Sequence, residues 1–359
     1  MRKSVSPFTS GFMIVGALCG ASFASGQEIL KFFCSYEGSP VVSFTACFIL
    51  YMVLGYMTYS ISEKKRTEIM EEIVSPVDSR IINILCVVVI FFCFFSILTA
   101  LLAAGDALAV DRLGLPKGLG GAVVTCLVII TSIVGISGIR KVMPKIVPVM
   151  LIMVGIIAAL ILTTTEPVGG GDPAVFRSPL APSRSLGVLL YFSYNFLAAI
   201  PVLCTLPKEK HDRGSNRWGF ILGFGGICIF GSLIGLSILT DLSAAGSSEL
   251  PMVYLAEKLS PVAALAYAFV LVTAIYCSSS NCLFALTKDV DRTRSVRRIM
   301  IIIGVGCASY IISLAGFSTL VTYVAPLQGY SCILILILIP ISFIKMKVTA
   351  GKHEDLQND

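Results

Sequence analysis

A carboxylate, a carboxamide and a pair of hydroxyls stand inside stretches of this chain that are otherwise apolar, and they define the chemistry open to it. Glu28 closes the run Gly16-Ala17-Leu18-Cys19-Gly20-Ala21-Ser22-Phe23-Ala24-Ser25-Gly26-Gln27-Glu28. Asn195 lies within Tyr191-Phe192-Ser193-Tyr194-Asn195-Phe196, six residues before Pro201. Ser278 and Ser279 lie within Cys277-Ser278-Ser279-Ser280-Asn281. A carboxylate set that deep takes up a proton, answers a cation or bonds the N-terminus of a helix. Its bland alternative is an i,i+3 pair with Lys31. Hydroxyls beside freed carbonyls suit a hard, oxygen-seeking ion such as sodium, and equally well bond back to their own helix. No histidine joins these groups, because His211 and His353 both lie in polar segments. No transition-metal spacing is present. One embedded carboxylate has no partner for acid–base work, so the chain is not expected to be an enzyme.

These groups need a backbone that presents them. The 16–28 stretch is Gly, Ala, Ser and Cys where a lipid-facing helix would carry Leu, Ile and Val. Small residues let backbones approach, and glycine lowers the cost of leaving helical geometry. Backbone that leaves the helix inside a bilayer must line a cavity or be buried in protein. Pro201 frees a backbone carbonyl in the same way. The expectation is two interrupted helices facing one solute. Gly20, Ala21, Ser22, Phe23, Ser25, Gly26, Tyr194 and Asn195 are its candidate ligands, and Glu28, Ser278 and Ser279 the candidates for ion or proton coupling. Asp106, at the outer end of the third helix, and Gln328, in a broken start of the tenth, are candidates for the outer access path, or equally for interfacial positions.

Composition sets the class. The 359 residues are 56% hydrophobic and 13% charged, against roughly 25% charged in soluble domains. This is an all-α polytopic membrane chain, with spans at about 8–33, 40–61, 80–105, 118–136, 144–163, 184–206, 218–240, 260–286, 298–316 and 319–344. With the N-terminus inside, 21 of the 27 Lys and Arg residues fall on the cytoplasmic side, as the positive-inside rule requires. Ten spans place both termini there, in the cell membrane. The basic residues sit in short connections, so the net charge of +6 points to a bilayer and not to nucleic acid. The twelve cysteines fall largely within apolar spans, with no CxxC pair, and read as packing residues.

An internal repeat is visible. Gly135-Ile136-Ser137 corresponds to Gly316-Phe317-Ser318 at an offset of 181 residues, with Pro144 and Pro326 following each. The same offset carries Gly20 to Pro201, and the start of the third span to the start of the eighth. Five spans per half insert with opposite orientation, which makes a 5+5 inverted repeat of 8–163 and 184–345 within one transmembrane domain, 1–359, with its first and sixth helices broken. Residues 64–74 and 249–259 read as short amphipathic surface helices, or as plain loops.

The pattern Gly16-x-x-x-Gly20-Ala21-x-Phe23-Ala24-Ser25-Gly26-Gln27-Glu28-Ile29, followed by Phe32-Phe33, resembles the first helix of the YkvI-type bacterial membrane proteins, of the amino acid–polyamine–organocation superfamily. Where that family has Gly-Ala-Gly-Phe, this chain has Gly20-Ala21-Ser22-Phe23. The resemblance implies the LeuT-like fold, a sodium site between the first-helix break and the hydroxyls at Ser278 and Ser279, and rocking of helices 1, 2, 6 and 7 against the rest. The expected function is an ion-coupled secondary transporter of a small organic solute, an amino acid among the candidates, with coupling to Na+ or H+. The alternative is a sensor or receptor subunit that binds a solute without moving it. No organic cofactor and no obligate protein partner are expected; the partners are the solute and the lipid bilayer.

Overall fold

The computed structural model describes residues 6–65, 73, 80–135, 137–168, 171–206, 213–287 and 295–358. The first apolar stretch becomes three short pieces. α1 (Pro7–Leu18) stops at Cys19, α2 (Ala21–Ser25) is closed by Gly26 at φ +83°, and α3 (Gln27–Ile29) runs into a π-helical turn, Leu30–Cys34. There follow α4 (Pro40–Lys65), α5 (Arg80–Leu113), α6 (Leu119–Val134), α7 (Ser137–Thr164) and α8 (Arg184–Thr205). Next come α9 (Arg213–Leu239), the short α10 (Leu242–Ser247) and α11 (Pro251–Leu259), then α12 (Pro261–Thr287), α13 (Ser295–Ser313) and α14 (Phe317–Asn358). Eight described helices are long and apolar enough to cross a membrane, and α1 and α6 are shorter apolar ones. Large apolar side chains lie exposed along them, such as Ile81, Ile84 and Val88 on α5. That is the outward face a bilayer demands and water would not tolerate.

Two groups of helices can be traced, and they meet directly where α9 packs on α7. α1 and α4 lie on α8 and α9, whereas α12 lies on α5, α6 and α7, with α13 on α5 and α6. α14 touches both groups, through α8 and α4 on one side and α5 on the other. The α1–α9 contact is made by missing side chains. A Cβ on Gly219 would stand 2.6 Å from the Ser10 Cβ, and one on Gly223 would stand 2.8 Å from the Ile14 Cβ. One helical turn separates the two glycines, so they open a groove along α9 in which the α1 backbone lies.

Two expected interruptions do not exist. α8 is continuous through Asn195 and Pro201. Its core is held by Tyr191, Phe192 and Phe196, all buried, and the Asn195 amide donates to the Tyr191 carbonyl at 3.1 Å, one turn back. Pro201 removes one hydrogen bond, a loss that a membrane helix absorbs without unwinding. The sixth helix is therefore intact, and the break lies in the first. α14 likewise starts at Phe317 and passes Pro326 unbroken, so Gln328 sits on a regular helix. The surface helix expected at 249–259 is present as α11, preceded by α10; the one expected at 64–74 falls mostly outside the described residues.

α11 is tied down by charge. The Tyr254 hydroxyl and the Lys258 ammonium both donate to Asp241 Oδ2 at 2.9 Å. Burial alone would push the Asp241 carboxyl up, but these two bonds outweigh it and hold it below its ordinary value. Arg112 on α5 reaches Glu257 on α11 at 2.6 Å.

Asp106 is an internal cap. α5 continues two turns past the expected end, which buries Asp106 beneath the start of α6. Its carboxylate accepts from the Gly118 N–H at 2.9 Å and from the Gly121 N–H at 3.0 Å. Asp106→Ala leaves both donors buried and unpaired, so it is expected to cost about 2 kcal/mol. Thermal unfolding in detergent checks this, and wild-type stability would refute the cap. The same carboxylate stands on the wall of a second cavity of about 310 Å³ with Lys117 and Glu249.

Candidate functional site

The break in the first helix opens onto a cavity of about 290 Å³. Its walls are the α1–α2 junction, Glu28, and stretches of α5, α8, α12 and α14. At the junction the Cys19 N–H still reaches the Val15 carbonyl, at 2.7 Å, and the Gly20 N–H turns back to the Leu18 carbonyl, at 3.1 Å. Gly20 itself is extended, with φ −81° and ψ 177°, and no side chain caps the first turn of α2. That turn begins with free N–H groups, which favour a negative charge beside them. Neither Gly16 nor Gly20 has anything within 4 Å of where a Cβ would stand. Gly20 therefore supplies space; its backbone conformation does not require glycine. Gly26 is the opposite case, at φ +83° with Met252 only 3.0 Å from a Cβ.

Of the sequence candidates, Gly20, Ala21, Ser22, Phe23, Glu28, Tyr194, Asn195 and Ser278 line this cavity. Ser25, Gly26 and Ser279 do not. The Ser25 hydroxyl donates to the Ser22 carbonyl at 2.7 Å and accepts from the Gln27 N–H at 3.3 Å, which braces the turn. Gly26 packs against α11 and α9. Ser279 is fully buried, and its hydroxyl, like that of Ser280, meets no hydrogen-bond partner. Gln328 also lines the cavity, and its amide donates to the Cys93 carbonyl at 3.0 Å. Tyr276 faces elsewhere, sharing a 2.5 Å hydrogen bond with Thr131.

Sequence reasoning missed the α5 wall. Cys93, Ser96, Ile97 and Ala100 face the cavity. Their spacing of three, four and seven residues is one helical stripe, and its small side chains were a readable signal. Cys93 also meets Cys332 of α14, thiol to thiol, at 3.3 Å. All twelve cysteines are free and ten are buried, in keeping with packing roles.

The electrostatics of the cavity rest on one group. Among its described lining residues Glu28 is the only carboxylate, and there is no Lys, Arg or His. Lys31 does not answer it. The π-helical turn starting at Leu30 alters the register, and the charged neighbour of Lys31 is Glu249. No Glu28–Lys31 ion pair occurs among the described residues. The polar neighbours of the Tyr194 hydroxyl are the Glu28 carboxyl and Asn195, yet it meets no partner at hydrogen-bond distance. Tyr194 is fixed by its ring, between Phe32 at 5.9 Å and Tyr191 at 5.7 Å. The opposite side of the break is held by Tyr267 of α12, whose hydroxyl donates to the Ala24 carbonyl at 2.5 Å. Glu28 thus presents a negative charge, when ionised, to a small and mainly apolar chamber.

No family model matches the chain. It is 24% identical over 325 residues to the uncharacterized membrane protein YkvI of Bacillus subtilis (strain 168), covering 89% of this chain and 91% of that protein. It is also 24% identical over 323 residues to the protein YyaD of the same organism, covering 88% and 91%. Among solved structures, the inward-facing conformation of Mhp1 superposes with a TM-score of 0.62 at 14% identity, over 95% of this chain and 76% of Mhp1. Mhp1, a nucleobase-cation-symport-1 family transporter, in a closed conformation with bromovinylhydantoin bound, gives 0.52 at 16% identity, over 92% and 78%. A manganese transporter of Eremococcus coleocola gives 0.55 at 13% identity, over 95% and 78%. The chain is thus a membrane protein similar to YkvI and YyaD along most of its length, and it has the LeuT-like fold of these transporters.

Proposed function

We propose that the protein is an ion-coupled secondary transporter of a small organic solute that carries a positively charged group, amino acids being the leading class. The observation that carries this reading is Glu28, a carboxylate facing the cavity with no cation among the described lining residues to balance it. A solute ammonium supplies that balance. An amino acid carboxylate finds its own partner in the uncapped first turn of α2. Phe23, Phe94 and Tyr194 supply apolar contact for a side chain. The coupling ion is sodium beside Ser278 and the unpartnered Ser279 hydroxyl, or a proton on Glu28.

In this reading ten crossings form two inverted halves, 8–163 and 184–345, with both termini cytoplasmic. The positive φ of Gly135 (+121°) and of Gly316 (+96°), 181 residues apart and each just before a long helix, supports the repeat. The packing of α1 on one helix group and of α2 on the other supports alternating access by rocking.

The test is thermal unfolding of the purified protein with a panel of amino acids and amines, in sodium and then in potassium. A ligand at 100 times its dissociation constant stabilises the fold by about 2.7 kcal/mol. The expected result is stabilisation by one class of cationic or zwitterionic solute, followed by its uptake into liposomes. Stabilisation without uptake overturns transport in favour of a sensor. Stabilisation by anions alone overturns the role of Glu28.

A further inference from the structure

A third cavity lies far from the break, at the membrane face that carries the termini. It measures about 830 Å³ and is formed by the end of α4, the start of α9 and the late part of α14. Lys64, Arg217 and Lys347 converge on it from the three helices. All three side chains are exposed. On the groove floor the Asn216 amide donates to the Tyr59 hydroxyl at 3.1 Å. Among the described residues of the rim Glu63 is the only acid, and it has an interaction of its own. The charge left over is positive.

The wall facing the bilayer is apolar. Tyr56 and Phe343 meet edge to face at 6.3 Å, and the Lys347 ammonium sits 4.8 Å over the Phe343 ring. Below them, Val53 of α4 and Ile337, Ile341 and Ile344 of α14 are exposed on the surface that meets lipid. A cationic pocket at headgroup level above an exposed apolar track fits a molecule with an anionic head and acyl chains. We infer that this groove binds an anionic phospholipid, its phosphate held by Lys64, Arg217 and Lys347 and its chains lying between α4 and α14. Basic pockets between membrane helices bind such headgroups through attraction that a zwitterionic lipid does not match. The side of the membrane rests on the proposed orientation; the lipid class does not.

The chain carries its own reporter. Its single tryptophan, Trp218, is 61% exposed and next to Arg217. The experiment reconstitutes the full chain into vesicles of phosphatidylcholine containing a minor share of either brominated phosphatidylglycerol or brominated phosphatidylcholine, and measures Trp218 quenching. The expected result is preferential quenching by phosphatidylglycerol, equivalent to roughly tenfold or greater local enrichment, and weakened by high salt. Lys64→Gln, Arg217→Gln and Lys347→Gln together are expected to remove the preference. The same vesicles without anionic lipid report the melting temperature of that variant, and unchanged melting shows that it is folded. If it melts early, the wild-type comparison of the two brominated lipids still decides. Equal quenching by both lipids overturns the inference. So does a preference that survives in the folded triple variant, or one that millimolar inorganic phosphate abolishes, which would make the site one for free phosphate.

Discussion

Glu28→Gln is expected to weaken solute binding by roughly 30- to 5000-fold while leaving the fold intact. The substitution keeps the shape of the side chain and removes the one carboxylate of the cavity. Losing one partner of a buried charged pair costs about 2–5 kcal/mol, which sets that range. Stability should change little, because no described residue forms an ion pair with Glu28. The measurement is a thermal-shift titration of the purified variant with whichever solute stabilises the wild type. Wild-type affinity would falsify an ammonium partner for Glu28. If that affinity came with uptake no longer driven by a pH gradient, the carboxyl would be the coupling proton site instead.

Gly20→Leu is expected to abolish binding outright, by more than about 100-fold, with the melting temperature close to wild type. The backbone there has an ordinary extended conformation, and a Cβ meets nothing within 4 Å. A larger side chain goes into the chamber and takes the solute's place. Gly26→Ala should do the reverse. At φ +83°, with Met252 at 3.0 Å and Ile238 at 3.3 Å from the added Cβ, it should cost about 1–3 kcal/mol of stability without occupying the cavity. Two glycines six residues apart in one motif would then separate cleanly by function. Equal effects of the two substitutions on binding and melting would sink this division.

The distribution of polar residues made much of this legible in advance. The break in the first helix could be read because Gly16 to Gly26 is too poor in large apolar residues to face lipid. Asp106 could be seen as unusual but not as a cap, since its donors, Gly118 and Gly121, belong to the next helix and are brought to it only by packing. The predicted break at Pro201 failed because proline signals a missing donor and nothing more. Whether a helix opens there depends on neighbours such as Tyr191, Phe192 and Phe196, which hold α8 closed. Ser25 and Gly26 share the motif with Gly20 but turn away from the chamber, Ser25 to the Ser22 carbonyl and Gly26 to Met252 and Ile238. Linear proximity could not tell the two sides apart.

The tie from Tyr267 to the Ala24 carbonyl has a mechanical consequence. α1 is bedded on α9 and α8, and the π-helical turn after α3 also returns to α8 and α9, but α2 packs on α12, α11, α5 and α7. One five-residue segment of a single helix is thus clutched by the opposite body, between pivots at Cys19–Gly20 and at Gly26. Relative movement of the two bodies has to be taken up as torsion at those pivots. The chamber sits against the first of them, so its shape cannot stay constant while the pivot turns. If the protein transports as proposed, substitutions that stiffen Cys19, Gly20 or Gly26 would act as a brake, slowing each cycle even where a solute still fits.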